Sequence, residues 1–477
     1  MPPPQPQTWA DLPRDLLTCV AARNRHDLTC YLTARGVCKA WRSVLPPPWP
    51  LLLVADGGGA VSAFSVPLRT AFRLDNIGQR RYRYIGAGHG WLAVAYHKEE
   101  VSSVINDDDR VGTQRVTTRS DPTAVAALET MEQRMDHRQA KEQNYYMNFE
   151  GAQVRVEPDE SQAIAKRRGR ETSSCMALLN PVTGRKIELP EHVRLDPWAV
   201  SKVAFAPNPR EDDFTAVVAF GWNVAYISSR DGGAGAWSFG GIAGGEDVIA
   251  DVVYRVGGDG DRVYCLTRRG DVYVLHVPRG GGPTTNCYPA FVPLVAGGCR
   301  FNFNPSDVFP PPYDRLSQYL RGAKSLAFCN GDMYQVWRNS ASTMRVLMNK
   351  EEGGPRLRVV VLRHEPAAST QPCWKAVGDL GGHAVFVGPA NSALSMRAKS
   401  GVPGGIKGDS VYWLDRFGGR TAMVFDMKTR RSAPCVSPST DRGVPVCWYS
   451  LEDMASGNEA DADGEVLERE PKRRRLV

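Results

Sequence analysis

Two different patterns of apolar residues divide the chain. Near the N-terminus apolar residues recur at helical spacing in two stripes. The first follows Asp11, which can cap a helix, and Pro13, which suits its first turn; the second ends at the prolines 46–48. The first stripe consists of Leu16, Leu17 and Val20, and the second of Val37, Ala40, Trp41 and Val44. Because a unit of about forty residues buries little core, we expect it to gain stability from a partner.

From Leu51 onward, short runs rich in Val, Tyr, Phe and Trp alternate with glycine and proline, of which the chain has 46 and 34. Three segments repeat a strand, a tight turn and a returning strand, at residues 262–275, 325–337 and 410–426. Their turns are at Gly270, at Asn330-Gly331 and at Gly418-Gly419. This repetition favours a β-propeller, each hairpin being half of a blade, over the alternative of a β-sandwich. The predicted fold class is mainly β with a small all-α unit at the N-terminus.

The composition along the chain predicts its boundaries. Residues 1–8 are a Pro/Gln leader predicted to be disordered, 9–46 the helical unit, and 49–450 the β domain. About residues 98–173 the chain is charged and poor in apolar residues, which predicts a long disordered insertion. Residues 451–477, acidic and then basic, are predicted to be a disordered tail.

Charge and cysteine content exclude several classes of protein. A net charge of +7, spread along the chain, gives little support to nucleic-acid binding. Eleven scattered cysteines without a C-x-x-C pair indicate reduced thiols, which are typical of the cytosol or nucleus. We also expect no membrane association, because no apolar run is long enough to span a bilayer.

The sequence contains no recognisable catalytic or metal-binding pattern. The eight histidines are isolated, and the segment Gly257–Asp261 is better explained as a hairpin turn than as a phosphate or calcium loop. The pair Asp212-Asp213 lies in a polar loop, where solvated charge is the ordinary explanation. We therefore expect a protein that is not an enzyme and holds no cofactor or metal.

The helical unit resembles an F-box in the order and spacing of its two ends. These ends are Trp9-x-Asp11-Leu12-Pro13-x-Asp15-Leu16-Leu17 and Val37-Cys38-Lys39-Ala40-Trp41-Arg42. The resemblance implies a Skp-type adaptor as partner and, through it, a cullin. It implies that the adaptor-binding residues are Leu12, Pro13, Leu16, Leu17, Val20, Val37, Cys38 and Trp41. The middle, Arg23-Asn-Arg-His26, departs from the F-box pattern, and the alternative is a helical cap that packs on the chain's own β domain.

The β region is similar to the propeller, of KIB type, found in a large plant family of F-box-associated proteins. Its motifs are Ile85-Gly-Ala-Gly-His-Gly-Trp91, Asn180-Pro-Val-Thr-Gly184, Trp374 through Gly388, and Asp409-Ser-Val-Tyr412-Trp413. Their aromatic residues, Trp91, Trp374, Tyr412 and Trp413, are expected to be core between blades rather than ligand contacts.

The two resemblances together imply the substrate-receptor subunit of an SCF-type ubiquitin ligase, in which the propeller recruits a target protein. The alternative is a propeller scaffold or regulator of a signalling protein, without a ligase role. The basic cluster Lys472, Arg473, Arg474 and Arg475 matches a nuclear import signal, so we expect the protein in the nucleus, the cytoplasm or both.

Overall fold

The computed structural model describes the helical unit and most of the β domain. The described residues are 12–23, 27–55, 60–77, 82–99, 172–229, 236–241, 248–257, 260–277, 291–295, 301–305, 308, 324–338, 359–365, 373–398, 405–414, 422–436 and 444–451. Most of the predicted insertion 98–173, the leader 1–8 and nearly all of the tail 451–477 lie outside them.

Three helices precede the first strand: α1 (Arg14–Arg23), α2 (Leu28–Gly36) and α3 (Lys39–Val44). Helix α1 begins at Arg14, later than a cap at Asp11 predicts, since the carbonyl of Pro13 accepts the first helical hydrogen bond, from the N–H of Leu17 at 3.1 Å. Val37, predicted on the last helix, instead caps the C-terminus of α2, since the extended Cys38 separates α2 from α3.

The β domain is a propeller of six sheets, five with four strands and one with five. Blade 1 contains β1 (Leu51–Ala55), β2 (Val61–Ser65), β3 (Thr70–Arg73) and the last strand, β25 (Val444–Tyr449). Blade 2 contains β4 (Arg83–Gly88), β5 (Trp91–Glu99), β6 (Thr172–Leu179) and β7 (Lys186–Leu189). Blade 3 contains β8 (Lys202–Phe205), β9 (Thr215–Phe220), β10 (Asn223–Ser228) and β11 (Ser238–Gly241).

The other three blades follow in chain order. Blade 4 contains β12 (Ile249–Arg255), β13 (Asp261–Thr267), β14 (Val272–Val277) and β15 (Phe291–Pro293). Blade 5 contains β16 (Lys324–Cys329), β17 (Asp332–Arg338), β18 (Val359–His364) and β19 (Trp374–Val377). Blade 6 contains β20 (His383–Val387), β21 (Leu394–Arg397), β22 (Ser410–Leu414), β23 (Ala422–Asp426) and β24 (Arg431–Val436).

Blade 1 closes the ring, because it pairs the two ends of the domain. The C-terminal strand β25 pairs antiparallel with β1, with Leu52 opposite Trp448. Around the ring β25 contacts β4, β4 contacts β8, β8 contacts β12, β12 contacts β16 and β16 contacts β21. Blade 6 departs from the simple meander, since β20 pairs in parallel with β22 and antiparallel with β21 at the sheet edge. The sandwich alternative is therefore wrong, and the propeller prediction is confirmed.

Six apolar clusters hold neighbouring blades together. The four aromatic residues singled out from the sequence are all buried in them, as expected. Trp91 lies between blades 2 and 3, Trp374 between 4 and 5, Trp413 between 5 and 6, and Tyr412 between 6 and 1. The core is thus a ring of interfaces, with each blade contributing both faces of its sheet.

The predicted turns at Gly270 and Asn330-Gly331 are present, whereas Gly418-Gly419 lies outside the described residues. Asn330 and Gly331 both have positive φ, 52° and 89°, as a type I′ turn between β16 and β17 requires. In the turn between β6 and β7, Asn180 Oδ1 accepts the N–H groups of Val182 and Thr183 at 3.0 and 2.9 Å. Strands β12 and β13, on either side of the predicted turn, pair antiparallel with Arg255 opposite Arg262, as a hairpin requires.

The chain forms two compact units. The helices and the blades belong to the first, which comprises residues 1–96, 175–343 and 355–477. The second comprises residues 97–174 and 344–354, of which residues 97–99 and 172–174 are described. Within it, Ser174 Oγ and His97 Nδ1 are 3.2 Å apart.

Candidate functional site

A buried ion pair lies where the inner strands of the propeller meet. Lys202 is the first residue of β8, Asp251 is on β12, and both side chains are almost fully buried. The ammonium of Lys202 donates to Asp251 Oδ1 and, at 2.9 Å, to the backbone carbonyl of Asn391. The two carboxylate oxygens of Asp251 also accept the N–H groups of Val252 and Leu326, each at 2.8 Å.

Asn391, also buried, extends this network through blade 6. Its amide nitrogen donates to the carbonyls of Phe386 and Ser392 at 3.3 and 2.9 Å, and its Oδ1 accepts the N–H of Trp448 at 3.4 Å. The N–H of Ser392 donates to the carbonyl of Ala87 at 2.9 Å. The network therefore joins all six blades: β25 in blade 1, β4 in blade 2, β8 in blade 3, β12 in blade 4, β16 in blade 5 and the β20–β21 connection in blade 6.

The ions of this network are held by groups of the chain itself. Burial raises the pKa of Asp251, while the adjacent Lys202 and the two backbone N–H donors oppose that shift. Lys202 donates to Asp251 and to the carbonyl of Asn391, and Asp251 also accepts two backbone N–H groups, so both ions are bound within the chain. The network thus connects the inner strands of neighbouring blades.

Within the described ranges, no group of three or more His, Cys, Asp or Glu side chains could hold a metal ion. The nine cysteines that the structure describes form no disulfide bonds, and burial raises the pKa of Cys329 and of Cys435 to about 12. Among the described helices, none is long and apolar enough to cross a membrane.

The N-terminal helices are the second candidate site, and their predicted adaptor-binding residues divide into three groups. Leu17 and Trp41 are buried, and Leu12, Val20 and Cys38 are partly buried against the same cluster. Pro13 is exposed, and the side chains of Leu16 and Val37 are 52% and 51% exposed. Three of the eight predicted residues are therefore available to a partner, and two serve the chain's own core.

The buried side of the helices packs on blades 1 and 2. Leu17, Leu28 and Trp41 share one apolar cluster with residues of strands β1 to β6. The ring of Tyr31 contacts that of Phe72 on β3 at 5.5 Å. The helical unit is thus anchored on the propeller rather than carried on a free linker.

Polar contacts fix the connection between the helices and β1. The hydroxyl of Tyr31 donates to the carbonyl of Pro46 at 2.8 Å, and Arg35 Nε donates to that of Leu45 at 2.9 Å. The guanidinium of Arg35 also lies 5.0 Å from the ring of Trp49. These bonds hold the segment after α3 in place, so the exposed residues of the helices have a defined position relative to blade 1.

Sequence reasoning missed helix α2 and the central network. The signal for α2 is present: Asp27 caps it by accepting the N–H of Cys30 at 3.1 Å, and Leu28, Tyr31 and Leu32 follow at helical spacing. The network has no comparable signal, because Lys202, Asp251 and Asn391 lie far apart in the sequence. The predicted import residues Lys472, Arg473, Arg474 and Arg475 are outside the described residues.

Comparison with known protein families agrees with this architecture. The family model of the KIB1-4 β-propeller matches residues 157–429, more than half of the 477 residues. The chain belongs to the KIB1-4 β-propeller family. No curated protein matches it significantly.

The KIB1-4 match has informative limits. It contains Lys202, Asp251 and Asn391, so the whole ionic part of the central network lies within the family domain. The three helices and strands β1 to β5 precede the matched residues. The match therefore establishes the propeller and leaves the role of the helices to be argued from their geometry.

Proposed function

We propose that this KIB1-4 propeller is the substrate-receptor subunit of an SCF-type ubiquitin ligase. The helices would bind a Skp-type adaptor, and through it a cullin, while the propeller recruits a target protein. The observation that carries this proposal is the division of the helical stripe: Leu17 and Trp41 anchor the helices on the propeller, and Pro13, Leu16 and Val37 remain exposed. Exposed apolar side chains on an anchored module are what a protein partner needs.

In this role the chain does no covalent chemistry. The conjugating enzyme of the ligase transfers ubiquitin, and the receptor raises the local concentration of the target near it. A rigid receptor serves this purpose because the distance between the adaptor and the bound target then varies little. The contacts of Tyr31 and Arg35 with the segment before β1 support such rigidity.

The test is binding of a purified Skp-type adaptor to the full-length protein, measured by calorimetry. We compare the wild type with the double variant Leu16→Asp, Val37→Asp, which places charge on the exposed apolar positions without touching the core. Val256→Asp is the matched control, because Val256 is equally exposed but lies after β12 in blade 4. The proposal expects binding by the wild type and the control and its loss in the double variant.

One observation favours a second function, a propeller scaffold or regulator without a ligase role. Leu17, Leu28 and Trp41 pack on the chain's own blades, as the apolar residues of a simple helical cap would. An adaptor that fails to bind the wild-type protein would overturn the ligase proposal and leave this second function.

A further inference from the structure

The turn between β9 and β10 carries a tryptophan where a small polar residue is usual. Phe220 pairs with Asn223, so only Gly221 and Trp222 form the turn. Gly221 has φ of 60°, as the first central position of a type II′ turn requires, and a Cβ at this position would meet no atom within 4 Å. Trp222 is 53% exposed at this tip. A tight two-residue turn does not need a large apolar side chain for its own packing, so a half-exposed tryptophan there indicates a contact surface.

The connection between β7 and β8 presents a second apolar tip. The N–H of Leu195 donates to the carbonyl of His192 at 2.9 Å, and this turn places Val193 at 99% exposure. The next residue, Arg194, holds its guanidinium 5.7 Å from the ring of Phe239 on β11. The connection is thus folded back onto blade 3.

Half-buried aromatic rings lie between the two tips. The ring of Phe239 contacts that of His192 at 4.6 Å and that of Phe220 at 6.4 Å. Phe220 and Phe239 also pack on the apolar cluster between blades 2 and 3, so these rings rest on the core. We name this surface the Trp222 patch, and its residues are His192, Val193, Arg194, Phe220, Trp222 and Phe239.

The Trp222 patch contains one guanidinium, that of Arg194, and no carboxylate. Glu191 accepts a hydrogen bond from the thiol of Cys175 at 3.2 Å, Asp196 accepts the N–H of Trp198 at 2.9 Å, and Glu188 pairs with Lys186 at 3.0 Å. The nearby carboxylates thus have partners within the chain. Arg194, by contrast, forms no ion pair with any residue in the described ranges. Its guanidinium is therefore available to a carboxylate from outside.

We infer that the Trp222 patch docks a linear acidic peptide segment of a client protein that carries a bulky apolar side chain. The apolar side chain packs between Val193 and Trp222, and a carboxylate of the segment pairs with Arg194. Tryptophan and arginine are the residue types that most often dominate binding energy at protein interfaces. This inference deepens the proposed function, on which it rests, because it names where the propeller recruits its target.

The experiment measures peptide binding to the full-length protein without adaptor, so a failure of the helices to bind an adaptor does not affect it. The probes are fluorescein-labelled dodecapeptides with Asp and Glu around a central Leu or Trp, read by fluorescence anisotropy. Matched peptides carry Lys in place of the acidic residues. The variants are Arg194→Glu and Trp222→Ser, and Arg210→Glu is the control, because Arg210 is an exposed arginine in the connection before β9.

We expect the acidic peptides to bind more tightly than the basic ones, with each patch variant weakening binding by about 10-fold or more and the control leaving it unchanged. Equal binding of acidic and basic peptides, no binding of either, or equal binding by Arg194→Glu and the wild type would overturn the inference. A truncation after Leu451 removes the acidic residues of the chain's own tail. If it tightened peptide binding 10-fold, the tail would be the occupant and the client proposal would be wrong.

Discussion

Replacing Lys202 by methionine removes the cation of the central network and keeps a side chain of similar length. Asp251 would then be a buried carboxylate held only by the N–H groups of Val252 and Leu326, and the carbonyl of Asn391 would lose a donor. Removing one partner of a buried ion pair costs about 3–5 kcal/mol, because the other charge is left uncompensated. We expect Lys202→Met to lower the free energy of unfolding by this amount.

The matched control is Lys375→Met, which breaks an exposed ion pair with Glu365. Exposed pairs contribute about 0–1 kcal/mol, so this variant should resemble the wild type. Urea unfolding followed by tryptophan fluorescence, with refolding checked, gives both values. If Lys202→Met lost no more stability than Lys375→Met, the network would not hold the blades together and the reasoning would be refuted.

The same variant has a pH dependence of known sign. Without Lys202, burial raises the pKa of Asp251 in the folded state above its value in the unfolded chain. The folded variant then binds a proton that the unfolded chain does not, so its stability falls by up to about 1.4 kcal/mol per pH unit as the pH rises between the two values. The loss relative to the wild type should be smaller at pH 5 than at pH 8. An equal loss at both values would contradict this account.

Three further perturbations test the packing. Leu17→Ala should lower the free energy of unfolding by about 2–5 kcal/mol, while the exposed Leu16→Ala should change it by less than about 0.5 kcal/mol in the same urea titration; equal effects would refute the anchoring of the helices. Gly86→Ala should lower the melting temperature, because a Cβ would approach the carbonyl oxygen of Val203 to an impossible 2.3 Å; an unchanged temperature would contradict this contact. Burial lowers the pKa of His364 in the folded state below its ordinary value of 6.5. The contribution of His364 to the free energy of unfolding is therefore complete above pH 6.5 and is lost as the pH falls. His364→Gln should therefore reduce the drop in melting temperature between pH 7.5 and 5.5, and an unchanged drop would argue against it.

Local signals accounted for the strands and turns. The alternation in β13 and β14, the Asn330-Gly331 turn and the Asn180–Gly184 turn depend on residues close together in the sequence. Their conformations follow from backbone sterics and side-chain hydrogen bonds within a few residues. The three predicted hairpins are all present, as β13–β14, β16–β17 and β22–β23.

The candidate sites were only partly predictable. The spacing of Leu16, Leu17 and Trp41 indicated helices but not which side chain the propeller would bury. Helical spacing places residues on one face, and the surface that covers this face comes from distant strands such as β3. The Trp222 patch was missed because nothing in the sequence around Val193 and Trp222 indicates that their side chains are exposed. Their significance depends on their exposure, Trp222 at a turn of blade 3 and Val193 in the connection between blades 2 and 3.

Hydrophobic periodicity and turn residues were enough to predict a mainly β protein with a helical N-terminus, because both are local properties of the chain. The six blades, the closure of the ring by β25 on β1, and the meeting of Lys202, Asp251 and Asn391 became visible only in the folded chain. These features join residues that are distant in the sequence. The angle at which neighbouring blades pack determines the number of blades and which strands meet. That angle depends on how all the side chains of an interface fill space together.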